Sequence, residues 1–151
     1  MKQFHIFLVL IFGFAAFTPS GAQAFERGTL VIQTQSGDHT FVVDLASTPE
    51  DKRAGLMGRT DIPPDYGMLF DFRGHEQVAM WMKNTPTSLD MVFIDGRGDV
   101  LDIVANTTPY STDIIRVNGP VAAVLELNAG TAISIGLAAG DQIKHPLFAG
   151  P

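Results

Sequence analysis

The 151-residue chain contains no cysteine. That absence excludes disulfide staples, a thiolate nucleophile, a zinc–thiolate centre and the acylated cysteine of a lipoprotein. Basic residues are also scarce, with 10 Lys and Arg against 16 Asp and Glu, a formal charge of -6. Nucleic-acid binding rests on clustered Lys and Arg that neutralise phosphates, so nucleic acid is not expected as a partner. The acidic residues are scattered rather than run together, which suits a soluble body better than a disordered acidic tail. Tryptophan occurs once, at Trp81. Long apolar runs are missing from the chain except at its start.

That one run extends from Phe4 to Phe17 behind Lys2 and ends at Thr18-Pro19-Ser20-Gly21. It is shorter than the roughly 20 residues a spanning helix needs. Ala22-Gln23-Ala24 follows and fits the small-residue rule for signal cleavage, with the cut before Phe25. Residues 1–24 therefore read as a cleavable signal peptide, and residues 25–151 as a single domain in the periplasm or outside the cell. Loss of Lys2 leaves 10 − 1 = 9 basic and 16 acidic residues, a net charge of 9 − 16 = −7. No membrane span is expected in the mature chain. A domain of this length can bury a sufficient core without disulfides.

The mature part is punctuated as short strands. Thr29 to Thr34 and Thr40 to Leu45 flank Ser36-Gly37-Asp38, and Met91 to Asp95 and Asp99 to Val104 flank Gly96-Arg97-Gly98, two hairpin patterns. Val121 to Leu127 is apolar on both faces except for Glu126, which predicts a central, covered strand. One helix is signalled by Thr48 as cap, Pro49 at the first position and Glu50 and Asp51 at the positive end of its dipole, with Gly58 to close it. A shorter turn of helix is expected between Asn128 and Gly136. The expectation is a mainly β fold, a small β-barrel or β-sandwich of about eight short strands with one or two short helices.

Several blocks stand out in order: GLMGR at 55–59, GMLFDF at 67–72, WMKNT at 81–85, LDMVFID at 89–95, LELNAG at 125–130 and GD at 140–141. In these the chain resembles the family called domain of unknown function 192, over roughly residues 28–145. Family members often carry proline before the LD pair, where this chain has Ser88, with Pro86 two residues earlier. The resemblance implies a compact, mainly β domain, often secreted, and assigns it no activity. The chemistry must come from the residues.

On a strand, Trp81 and Lys83 would face one way and Met80 and Met82 the other. Lys83, Asn84 and Asp90 could then converge beside an indole wall, joined by Arg53 or Arg59 from the helix and by Glu126. An aromatic face with a few hydrogen-bonding groups suits a sugar or another small polar ligand. The bland reading puts Trp81 in the core, with Asn84 and Asp90 tying a loop. Glu126 itself is costly to bury unpaired. An ion pair with Arg53, Arg59 or Lys83 is the preferred account, and a raised pKa suited to acid–base work is the other.

The leading expectation is a binding module of the cell envelope, with no cofactor. An enzyme using Glu126 and Asp90 as general acid and base is an alternative, and requires both carboxylates in one cleft. A structural or interaction protein is another, and requires an exposed apolar patch and no pocket. A copper site from Met80 and Met82 near His75 is the last, because thioethers suit Cu(I), but methionine is also a good core filler. His39, His75 and His145 stand in no nucleophile motif. The glycines form no nucleotide-binding loop, and Asp95 to Asp99 lacks the oxygens of a calcium loop.

Overall fold

The computed structural model describes residues 25–150, so the expected signal peptide lies outside the described residues. Seven strands form one sheet: β1 (Glu26–Thr34), β2 (Gly37–Ala46), β3 (Tyr66–Asp71), β4 (Leu89–Asp95), β5 (Val100–Val104), β6 (Val121–Asn128) and β7 (Gln142–Lys144). Their order is β5-β4-β6-β3-β2-β1-β7. The two ends nearly close into a barrel. Asp99, just before β5, bridges Gln142 of β7, and the amide of Ile143 donates to the Gly98 carbonyl at 2.7 Å. Gly98 is required there. Its φ is +91°, and a Cβ would sit 2.4 Å from the Ile143 carbonyl oxygen.

Both expected hairpins form. The first turns on Gln35-Ser36, one residue earlier than the Ser36-Gly37-Asp38 pattern implied, because Thr34 pairs with Gly37. β6 is central, between β4 and β3, as its apolar run predicts. The eighth strand does not form. Residues 80–85 make an isolated bridge, Met80 with Ile115, because Asn84 takes φ 58° and turns the chain away.

β2 and β3 run parallel, so the chain must cross over between them, and α1 (Pro49–Ala54) lies on that crossover. Thr48 caps α1 through a reciprocal box with Asp51. The helix stops at Gly55 rather than the expected Gly58, with Gly55 at φ +45° and Phe70 within 3.3 Å of where a Cβ would be. α2 (Thr131–Ser134) is the short turn of helix expected after Asn128.

Two cores result, and β3, β4 and β6 separate them. Leu69, Val92, Ile94, Leu125 and Leu127 face the barrel interior with Leu30, Ile32 and Phe41. Met68, Phe70, Met91, Phe93 and Val124 face outward and are covered by Leu56, Val78, Met80 and Met82. Strand alternation thus assigns each odd or even position to one core. No helix among the described residues is long and apolar enough to cross a membrane.

Candidate functional site

Glu126 lies on the outer face of β6, across from Met68 of β3 and Met91 of β4. It is only 4 % exposed. Among the described residues no cation pairs with it and no group hydrogen-bonds to it, so the expected ion pair with Arg53, Arg59 or Lys83 does not form. Burial pushes its carboxyl up to about 8. At neutral pH it is therefore largely an uncharged acid, which donates a hydrogen bond as well as accepting one.

The carboxyl is not walled in on every side. Glu126 lines a cleft of about 240 Å³ between the outer face of the sheet, α1 and the 79–85 segment. Leu56, Met57, Phe70, Phe72 and Met80 supply apolar walls. Lys52, Arg53, Lys83 and Trp81 also line it. Glu126 is the one acidic residue in that lining. Lys83 Nζ stands 5.3 Å from the centre of the Trp81 ring, and Lys52 Nζ the same distance from the Phe72 ring. Arg53 is exposed and has no ion-pair partner among the described residues.

The alternation read for residues 80–83 is correct although the strand is not there. Met80 and Met82 point into the core, and Trp81 is 43 % exposed, not a core residue. Backbone bonds from Met80 to Ile115 and from Met82 to Ser111 hold the segment extended. Arg53, Trp81, Lys83 and Glu126 are thus brought together. Asn84 is exposed beside them, outside the lining, with Nδ2 4.0 Å from the Met57 sulfur.

Asp90 and Arg59 belong elsewhere. Asp90 pairs with Leu127 and so faces the opposite side of the sheet from Glu126. Its carboxylate accepts from the amides of Asn106 and Ala132, both at 2.9 Å, and anchors α2 and the loop after β5. The carboxylate-pair enzyme required one cleft for both groups, and a register one residue apart puts them on opposite faces. Arg59 donates to the Tyr66 hydroxyl at 2.8 Å and lies 3.5 Å from Asp44. Asp44 also binds Arg27 at 2.7 Å. Burial raises the Asp44 carboxyl, but the bonds from Arg27 and Tyr66 and the charges of Arg27 and Arg59 outweigh it and hold the group below its ordinary value.

Met82 is sealed, its sulfur accepting from the Thr107 hydroxyl at 3.2 Å, so it cannot reach an ion in the cleft as the copper reading needs. His75 contacts Lys52 Nζ at 3.4 Å. Ser36 Oγ lies 3.0 Å from His39, but its proton goes to the Ile135 carbonyl at 2.7 Å, so this pair clasps a turn and makes no nucleophile. The interaction reading required that there be no pocket, and a cleft is present. Sequence reasoning missed Lys52, Phe70 and Phe72 in the lining. The two phenylalanines were within reach, since their spacing by two puts them on one face.

Comparison with known proteins agrees with this architecture. The family model described as DUF192, Uncharacterized ACR, matches residues 31–145. A crystal structure of a candidate transcription regulator from Sinorhizobium meliloti 1021 is 43 % identical, with a TM-score of 0.79 over 82 % of this chain and 97 % of that one. A protein of unknown function from Novosphingobium aromaticivorans DSM 12444 is 32 % identical, with a TM-score of 0.77 over 83 % and 94 %. No curated protein matches the chain.

Proposed function

This chain belongs to the DUF192 family, and on that premise we propose that it is an exported cell-envelope protein whose β domain holds a small polar ligand in the Glu126 cleft. One observation carries the binding reading. A buried carboxyl without a partner among the described residues costs stability, and folded proteins seldom keep such a group facing a cleft without use. The indole of Trp81 and the apolar walls supply contact area, while Lys52, Arg53 and Lys83 supply polar anchors. The volume, about 240 Å³, is at the small end for ligand sites, so the occupant is smaller than a drug-sized molecule.

Export is supported by the signal-like residues 1–24. The regulator name of the Sinorhizobium relative would bring nucleic acid, but a net charge of -6 does not favour that partner.

Two measurements test the proposal. Thermal shift against anionic, neutral and cationic small molecules should raise the melting temperature for at least one class, and Trp81→Ala should reduce that rise. If no class stabilises the protein, the binding reading fails. Expression of the full chain should yield a periplasmic or secreted product whose mass begins at Phe25, and an uncleaved cytoplasmic product would remove the export reading.

A further inference from the structure

The charges around the cleft are one-sided. Lys52, Arg53 and Lys83 all line it, and Arg53 has no ion-pair partner among the described residues. This is unusual in a chain with 16 acidic and 10 basic residues. The one acid in the lining, Glu126, sits on the strand floor and meets none of these cations. The cleft is therefore polarised, with positive charge on α1 and the 79–85 segment and a single hydrogen-bonding acid on the sheet. Phe70, Phe72 and Met80 lie among the lining residues and bring apolar surface to it.

We infer that the ligand is a small organic oxyanion, its charged end held by Arg53 and Lys83, its apolar body against Trp81, and a carbonyl or ether oxygen reaching the Glu126 carboxyl. The inference rests on the binding reading above and adds the chemical class. A cationic amine fits less well, because it would meet three like charges on its way to Glu126. A neutral sugar would leave Arg53 and Lys83 unused. Carboxylates and phosphate monoesters share the oxyanion, and both are recognised by Arg.

Glu126 gives the complex a pH signature. While its carboxyl is protonated it donates to the ligand oxygen, and ionisation near pH 8 turns that donor into a charge facing an acceptor. Affinity should fall as pH rises through that point. In Glu126→Gln the amide N–H replaces the donor and does not titrate.

The test uses the single tryptophan, whose indole N–H resonance reports the site directly. The full protein is titrated with 4-acetylbenzoate, 4-oxopentanoate and 4-acetylphenyl phosphate, and with 4-acetylbenzamide and 4-acetylbenzylamine as neutral and cationic counterparts. The expected result is saturable movement of the Trp81 resonance with an oxyanion about tenfold tighter than the amide, the factor that two partly exposed charge pairs supply. Arg53→Ala should cut that preference to about threefold, and Arg53→Ala with Lys83→Ala should bring oxyanion and amide to equal affinity. Affinity should drop between pH 7 and pH 9 in the wild type and stay level in Glu126→Gln. The carboxylate and phosphate arms decide which oxyanion is preferred. Tighter binding of the amide or the amine overturns the oxyanion class and leaves the binding reading standing. If none of the five probes moves the resonance, the oxyanion inference falls, and the wider thermal-shift panel decides the binding reading separately.

Discussion

Replacing Glu126 by Gln should make the protein more stable at neutral pH, and the gain should grow with pH. In the unfolded chain the carboxyl ionises near 4.5, and in the folded protein burial pushes it up to about 8. Between these values the folded state holds a proton that the unfolded state has released. Stability therefore falls with rising pH, by about 1.4 kcal/mol per pH unit in the middle of the window. Integrated, the loss is small at pH 4, about 3 kcal/mol at pH 7 and about 5 kcal/mol at pH 9. Glutamine keeps the shape and has no proton to lose. Its own desolvation cost is independent of pH, so the change in the difference between the two proteins isolates the titration. Urea unfolding of both proteins at pH 4, 7 and 9, extrapolated linearly to water, provides the measurement. A difference constant to within about 0.5 kcal/mol across the three values would refute the reasoning, since Glu126 would then have a partner that cancels its burial.

Three other outcomes follow from the packing. Gly98→Ala should lower stability by about 3 kcal/mol or more, since its Cβ would meet the Ile143 carbonyl at 2.4 Å with φ at +91°, and the urea midpoint would show it. Asp90→Ala should cost about 3 kcal/mol, because the amides of Asn106 and Ala132 lose their acceptor, with Asp90→Asn costing less; faster hydrogen exchange at Ala132 is the readout. Asp44→Asn should destabilise the protein with the opposite pH sense to Glu126. The folded Asp44 carboxyl lies below its ordinary value, so its contribution is fully present above about pH 4 and disappears as pH falls through the folded value. The gap between mutant and wild-type melting temperatures should then narrow on acidification.

Glu126 and Arg53, neither with an ion-pair partner among the described residues, share one cleft without pairing. Had Glu126 and Arg53 met, the strand would carry an ordinary buried ion pair. Their separation is the observation on which the proposed binding of an oxyanion rests.

Much of the local architecture was legible. Thr48, Pro49 and Asp51 mark a helix start whatever surrounds them, because capping is settled within one turn. Glycine-flanked apolar pairs announced both hairpins, and the apolar run around Glu126 announced a central strand. The strand at 80–85 was misread because alternation is shared by any extended segment, and pairing depends on neighbours far along the chain. The candidate site was half legible. Trp81, Lys83, Arg53 and Glu126, singled out in the sequence, line one cleft. Arg59 and Asp90 were singled out with them and lie in other networks.

The sequence by itself determined what is local: the absence of thiol chemistry, turns, a capped helix, the alternation of faces and membership of the family. Tertiary structure decided which face met which. Asp90 and Glu126 are both buried acids on neighbouring strands, and only the register, Asp90 to Leu127 and Met91 to Glu126, sends one to the barrel side and the other to the cleft. A shift of one residue would pair Asp90 with Glu126 and bring both acids to the same face. Register is set by pairing between residues 26 to 39 positions apart, which no local pattern encodes, and so the fate of each acid could be read only from the folded sheet.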